Sequence, residues 1–205
     1  MRTHVVSSVA ATVVVMTTAG CGPAGAPRDN ASVAAVTPEY SPQGRLARLT
    51  SDANGDGRVD TWAFMDGTRV VRVEVDENGD GAPDEWQYHA EPSPSAAGTT
   101  GTSGAAQPPD RTLQRVERAT RHDGRITRRE FFSDGALTRV EEDTDADGTI
   151  DKWETYRNGT LAMMELDTQK RGTPDRRLVY DADGNFVRIE ADRTGSGAFT
   201  PLSTP

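Results

Sequence analysis

From Gly44 onward the chain repeats about every 24 residues, and that period limits what it can fold into. Asp52 to Asp76 is 24 residues, Asp143 to Asp167 is 24 and Asp167 to Asp192 is 25. Each full copy opens on an acidic loop: DANGDGRVDTW from Asp52, DENGDGAPDEW from Asp76 and DTDADGTIDKW from Asp143. The interval from Asp76 to Asp143 is 67. It hides a degenerate copy, ATRHDGRITRREFF, which starts at Ala119 and keeps Asp123-Gly124 and Phe131 in register. The remaining 43 residues are one period plus a 19-residue insertion, placed in the low-complexity stretch Ala90 to Asp110.

Each loop is preceded by an alternating segment: VVRVEV, LQRVER, LTRVEE and FVRIEA. Period-two alternation predicts a strand with one buried face. Arg72, Arg115, Arg139 and Arg188 lie four residues before their loops, and Glu74, Glu117, Glu141 and Glu190 lie two before. These rows are expected to pair on a wet face, each pair worth a few tenths of a kcal/mol. A short aromatic strand follows each loop, carrying Trp62/Phe64, Trp86/Tyr88, Phe131 or Trp153/Tyr156. Those rings are expected in the core. Asp66-Gly67, Asp134-Gly135, Asn158-Gly159 and Asp183-Gly184 come next, as two-residue hairpin turns. The fold class expected is all-β. It is an antiparallel meander of about ten to twelve strands, with every acidic loop on one edge. Its apolar face would be covered by curling into a barrel or by folding into two packed halves, with the insertion as the seam. A coiled solenoid is the alternative.

Composition sets limits. Hydrophobic residues make up 34% of 205, so a deep core is not expected. The formal charge of -9 argues against a nucleic-acid binder, which needs a basic footprint. One cysteine excludes an intrachain disulfide. With three histidines, no nucleophile–base pair and no phosphate loop, an enzyme is not expected. The domains read as a signal peptide (1–20), a flexible tether (21–43), repeats (44–89), a linker (90–111), repeats (112–200) and a tail (201–205). A monomer is expected.

Residues 1–20 have the layout of a secretory signal: Arg2, an apolar run from Val5 to Met16, then small residues up to Cys21. Thr18-Ala19-Gly20-Cys21 resembles the lipobox of bacterial lipoproteins. The resemblance implies diacylation of Cys21, a membrane anchor and residence in the cell envelope, at the outer membrane since Gly22 follows. Two acyl chains anchor stably.

Numbered from the first Asp, the three intact loops put oxygen side chains at positions 1, 3, 5 and 9: Asp52, Asn54, Asp56, Asp60; Asp76, Asn78, Asp80, Asp84; Asp143, Asp145, Asp147, Asp151. Glycine at position 6 permits a sharp bend. The carbonyl at position 7 (Arg58, Ala82 or Thr149) is a further candidate donor. Carboxylates about 5 Å apart repel by roughly 3 kcal/mol at an effective dielectric near 20, and a divalent ion reverses that sign. Irregular all-oxygen sets favour calcium over magnesium.

DTDADGTIDKWE, Asp143 to Glu154, resembles the EF-hand loop, which implies Glu154 as a twelfth-position ligand. The other copies have Ala63 and Gln87 there, and flanking helices are absent from the pattern. All three loops resemble the D-x-[DN]-x-D-G-x-x-D loop of FG-GAP repeats, which implies closure by the ninth-position Asp. The whole unit resembles D-x-[DN]-x-D-G-x-x-D-x-W-E-x-Y repeats of bacterial lipoproteins, a family that carries no activity over. The loops at Ala119, Asp167 and Asp192 have lost ligands, and Arg171 is expected to fill its own loop with its charge. The expectation is three structural calcium sites in a non-catalytic, lipid-anchored surface or scaffold protein. The alternative is a carbohydrate- or protein-recognition module using the tryptophan strands or the loop edge.

Overall fold

A computed structural model describes residues 35–90 and 112–202. The signal, Cys21, most of the tether, nearly all of the linker and the last tail residues lie outside these. The described chain is all-β: β1 (Val36–Tyr40), β2 (Leu46–Ser51), β3 (Thr61–Asp66), β4 (Arg69–Val75), β5 (Glu85–His89), β6 (Leu113–Arg118), β7 (Arg128–Ser133), β8 (Ala136–Glu142), β9 (Lys152–Arg157), β10 (Thr160–Leu166), β11 (Arg176–Tyr180), β12 (Phe186–Ala191) and β13 (Thr200–Pro201). They form one antiparallel meander in strict chain order.

Several expectations change here. Thirteen strands form, since Val36–Tyr40, read as tether, pairs with β2. Antiparallel pairing of consecutive strands replaces the coiled solenoid. The sheet is open, with β1 and β13 at its ends. The insertion is not a seam, because β5 and β6 pair from Glu85↔Arg118 to His89↔Leu113 on either side of it. The strands on its two sides are neighbours in one continuous sheet.

The hairpin turns follow their local chemistry. Asp134-Gly135 and Asn158-Gly159 have φ of 51°/76° and 52°/78°, the doubly left-handed form that matches strand twist. At Gly67 only the glycine is left-handed. Asp183-Gly184 belongs to a longer turn, closed by the Asp181 N–H donating to the Asn185 carbonyl at 2.9 Å. In each of the six strand pairs on this edge, β5–β6 included, the register shifts at a bulge, as between Phe64 and Met65. A bulge recurring in every such pair adds twist at the same edge of each repeat.

The pairing register rearranges the expected faces. Directly opposed residues share a face. One row runs Trp62, Glu74, Trp86, Glu117, Arg129, Glu141, Trp153 and Glu165 from β3 to β10. The next row on that face runs Arg48, Phe64, Arg72, Tyr88, Arg115, Phe131 and Arg139. The tryptophans therefore stand among the Arg and Glu rows, half-buried, and not in a separate core. Guanidinium groups lie over the rings, Arg72 at 4.3 Å from the Phe64 centroid and Arg115 at 4.4 Å from that of Tyr88. Such stacks contribute about 0.5–1 kcal/mol each when exposed.

The opposite face is also mixed. Val73, Gln87, Val116, Glu130, Val140, Glu154 and Met164 form one of its rows. Beside them runs a chain of ion pairs: Arg128–Glu130 at 2.8 Å, Arg128–Glu142 at 3.0 Å, Lys152–Glu142 at 3.0 Å and Lys152–Glu154 at 2.8 Å. From β3 to β9, strands before a loop put apolar residues on this face and strands after a loop put aromatic ones on the other, whereas β11 brings Leu178 to this face opposite Met164 and Ile189. Among the described residues only Val116, Ala119, Val140 and Ala191 are buried apolar side chains. The sheet is thus held by main-chain ladders and cross-strand pairs more than by a dry interior.

Candidate metal centre

Every acidic loop, from β2–β3 to β12–β13, lies on one edge of the sheet. Main-chain bonds bind each loop to the next: the N–H of position 1 donates to the carbonyl of position 9 in the loop before, as in Asp76 to Asp60 at 2.8 Å and Asp167 to Asp151 at 2.8 Å. The six loops therefore stand side by side.

Within a loop the positions divide into two kinds. Positions 1 and 9 build the turn. Asp76 accepts the N–H of Gly79 and of Gly81, both at 2.7 Å, and Asp84 accepts the N–H of Glu77 at 3.3 Å. Asp52 and Asp60 do the same for Gly55, Gly57, Ala53 and Asn54. Asp143 takes Asp147 and Gly148 at 3.1 and 2.8 Å, and Asp151 takes Thr144. Most of these carboxylates are buried: Asp60, Asp76, Asp84 and Asp143 are 3–6% exposed. A buried backbone donor without an acceptor is costly, so these acids hold the loop together with or without an ion. Positions 4 and 6 bend it. Gly57, Gly81 and Gly148 have φ of 90°, 95° and 97°, and position 4 is left-handed at Gly55, Gly79 and Ala146.

Positions 3 and 5 are exposed. Asn54 and Asn78 each accept the N–H of position 5, at 2.9 and 2.8 Å. Asp56, Asp80 and Asp147 accept the N–H of Arg58, Ala82 and Thr149 at 2.8, 2.8 and 2.9 Å. In the third loop the oxygens of Asp143, Asp145 and Asp151 all come within 4.8 Å of one another. Each carboxylate has lone pairs beyond those used by the backbone, so the three can still share a hard cation. Glu154 is not with them. It lies on β9, where burial works against its charge. Lys152 and the Tyr156 hydroxyl, both at 2.8 Å, outweigh that and lower its pKa. The EF-hand closure at position 12 is replaced by this strand ion pair.

The sequence does not reveal the cations reaching across loops. Arg58 donates to the Gly79 carbonyl at 3.3 Å, and Arg121 to that of Thr144 at 3.4 Å. His122 lies 2.9 Å from Asp84, which raises its pKa above the ordinary 6.5. The ammonium of Lys170 contacts Asp145 and stands 3.4 Å from Asp147. That contact lowers the pKa of Asp145. Arg171 leans forward instead of filling its own loop: a Cβ on Gly195 would meet its guanidinium at 3.2 Å. Asp192 shows how strong the backbone cradle is. Burial pushes it up, yet the N–H groups of Gly197, Thr194 and Gly195, with the Thr194 hydroxyl, bring its pKa down to about 2.

No protein-family model matches this chain, and no curated protein does.

Proposed function

We propose that the chain is a lipid-anchored cell-envelope repeat protein whose acidic loops bind calcium structurally, in a non-catalytic surface or scaffold role. The supporting observation is the convergence of Asp143, Asp145 and Asp151 in a loop whose register recurs at Asp52 and Asp76. The ligands in this reading are Asp52, Asn54, Asp56 and Asp60; Asp76, Asn78, Asp80 and Asp84; and Asp143, Asp145, Asp147 and Asp151. The position-7 carbonyls complete the sets. Bound calcium would neutralise the loop edge and tie strands that have little core to hold them. Affinity in the range of roughly 10⁻⁴ to 10⁻³ M suits an extracellular module. At ten times the dissociation constant each site adds about 1.4 kcal/mol. Calorimetry and thermal melts with calcium and with chelator test this. Absence of heat and of any melting shift up to about 10 mM, ten times the weakest affinity expected, rejects it.

The anchor is tested separately. Cys21→Ser should move the protein from membrane to soluble fraction, and equal partitioning of variant and wild type rejects lipidation. A monomer agrees with the sheet ends, since β1 carries Pro38 and β13 carries Pro201. Proline cannot donate to a ladder and blunts edge-to-edge pairing.

One observation favours a second reading, a recognition surface. Trp62 and Trp86 share a row with Glu74 between them, two strand spacings apart, and Trp153 continues it on β9. Half-buried rings interleaved with carboxylates can stack sugars. Glycan-array binding that is lost in Trp86→Ala would support it.

A further inference from the structure

The fourth loop position combines a constrained backbone with varied side chains. It is left-handed throughout: Gly55 (φ 76°), Gly79 (75°), His122 (53°), Ala146 (61°), Lys170 (53°) and Gly195 (73°). A left-handed conformation disfavours any residue with a Cβ. Yet both degenerate loops that follow an intact one place a cationic or protonatable side chain there. Each of these side chains reaches back to an acid of the loop before. His122 meets Asp84, and Lys170 meets Asp145 and Asp147. Lys170 also lines a small cavity of about 40 Å³ between the two loops, with Asp147, Thr149, Asp151 and Asp167. The intact loop at Asp76 puts only Gly79 in this place, and no side chain of that loop reaches back to neutralise the loop at Asp52.

We propose that Lys170 is a built-in counter-ion for the Asp143 loop, standing in its mouth and competing with a divalent cation for Asp145 and Asp147. The loop with the most complete ligand pattern is then held back by a cation from the repeat that follows it. The Asp52 loop, followed by an intact repeat, receives no cation from the loop after it. The metal arm rests on the calcium reading above, while the counter-ion arm concerns the metal-free protein.

The test compares the full chain with Lys170→Ala, Arg171→Ala, Asp145→Ala and the Lys170→Ala/Asp145→Ala double variant. Alanine keeps the left-handed backbone, which Ala146 already adopts in the neighbouring loop. Calcium chloride is titrated by calorimetry. Removing one unit charge a few ångströms from the site should tighten one calcium site roughly tenfold, and high salt should narrow the gap. Arg171→Ala should match wild type, and the gain should vanish when Asp145 is absent. Superimposable isotherms for wild type and Lys170→Ala overturn the proposal. If neither binds calcium, the calcium reading fails, and melts in chelator decide the counter-ion alone. A Lys170–Asp145 double-mutant cycle should then show favourable coupling, and a coupling of zero overturns it.

Discussion

The loops at Asp143 and Asp167 are neighbours with one backbone plan and different chemistry. Both keep aspartate at positions 1 and 9 and glycine at position 6. Asp167 accepts the Gly172 N–H at 2.6 Å, as Asp143 accepts that of Gly148 at 2.8 Å. Asp175 accepts the Thr168 hydroxyl at 2.8 Å, as Asp151 accepts that of Thr144 at 2.8 Å, and it also accepts the Gln169 N–H at 3.0 Å. Positions 3, 4 and 5 change, from Asp145, Ala146 and Asp147 to Gln169, Lys170 and Arg171, and at position 8 Pro174 stands for Ile150. Half of the supposed ligand set therefore persists where no ion is expected. Positions 1 and 9 are fold-determining, and positions 3 to 5 are where the charge of the two loops differs. The same division explains the loop at Ala119, where Thr127 replaces the ninth Asp. There the Thr127 hydroxyl accepts the Thr120 N–H at 3.2 Å.

The largest effect that can break this division is expected at Asp175, which is fully buried. Asp175→Ala leaves the Gln169 N–H and the Thr168 hydroxyl without their acceptor and should cost about 1–3 kcal/mol. Thermal melting should fall by the same amount in calcium and in chelator. A loss seen only in calcium would make position 9 a ligand first and a turn-builder second.

Next in size is the backbone at position 4. Ala146→Gly should stabilise by about 1 kcal/mol, because glycine removes the left-handed penalty. Gly55→Ala should destabilise by a similar amount. A Cβ at Gly55 meets nothing within 4 Å, so the cost is conformational alone. Denaturant melts measure both, and equal stability for the pair would show that these loops relax away from the left-handed form.

Asp147→Ala sharpens the contrast from the other side. The aspartate is exposed and accepts one loop N–H, so metal-free stability should change by only about 0.5 kcal/mol. One calcium ion should disappear from the calorimetric stoichiometry. Unchanged stoichiometry would remove the Asp143 loop from the ligand-binding set.

The smallest effect is the pH dependence of His122. Its pKa is raised in the fold by Asp84, so its contribution is complete below the ordinary 6.5 and is lost as pH rises through the raised value. A histidine-resolved NMR titration should place the His122 midpoint above 6.5, and Asp84→Asn should return it toward 6.5. A midpoint at or below that value would mean that the two loops do not touch in solution.

The sequence alone determined the local elements, for physical reasons confined to a few residues. Alternation in VVRVEV and LTRVEE makes strands, and Asn158-Gly159 makes a tight hairpin. The Asp and Gly spacing makes the loop at each repeat, down to the bend at Gly57, Gly81 and Gly148. Position 4 was partly legible, since a Gly, Ala, His or Lys at one register can be read off without coordinates. What the side chain touches cannot.

Only the tertiary structure decided which faces the alternations share. A strand's pattern defines its two sides but not the phase of its neighbour, and a shift of one residue exchanges the sides. The loop length and the recurring bulge set that phase, placing Trp62 opposite Glu74 and Trp86 opposite Glu117. The expected separation into wet and dry faces is lost for that reason. The reach of Lys170 to Asp145 spans 25 residues of sequence. It exists because antiparallel pairing sets successive loops side by side on one edge, where a side chain of one can meet the carboxylates of another.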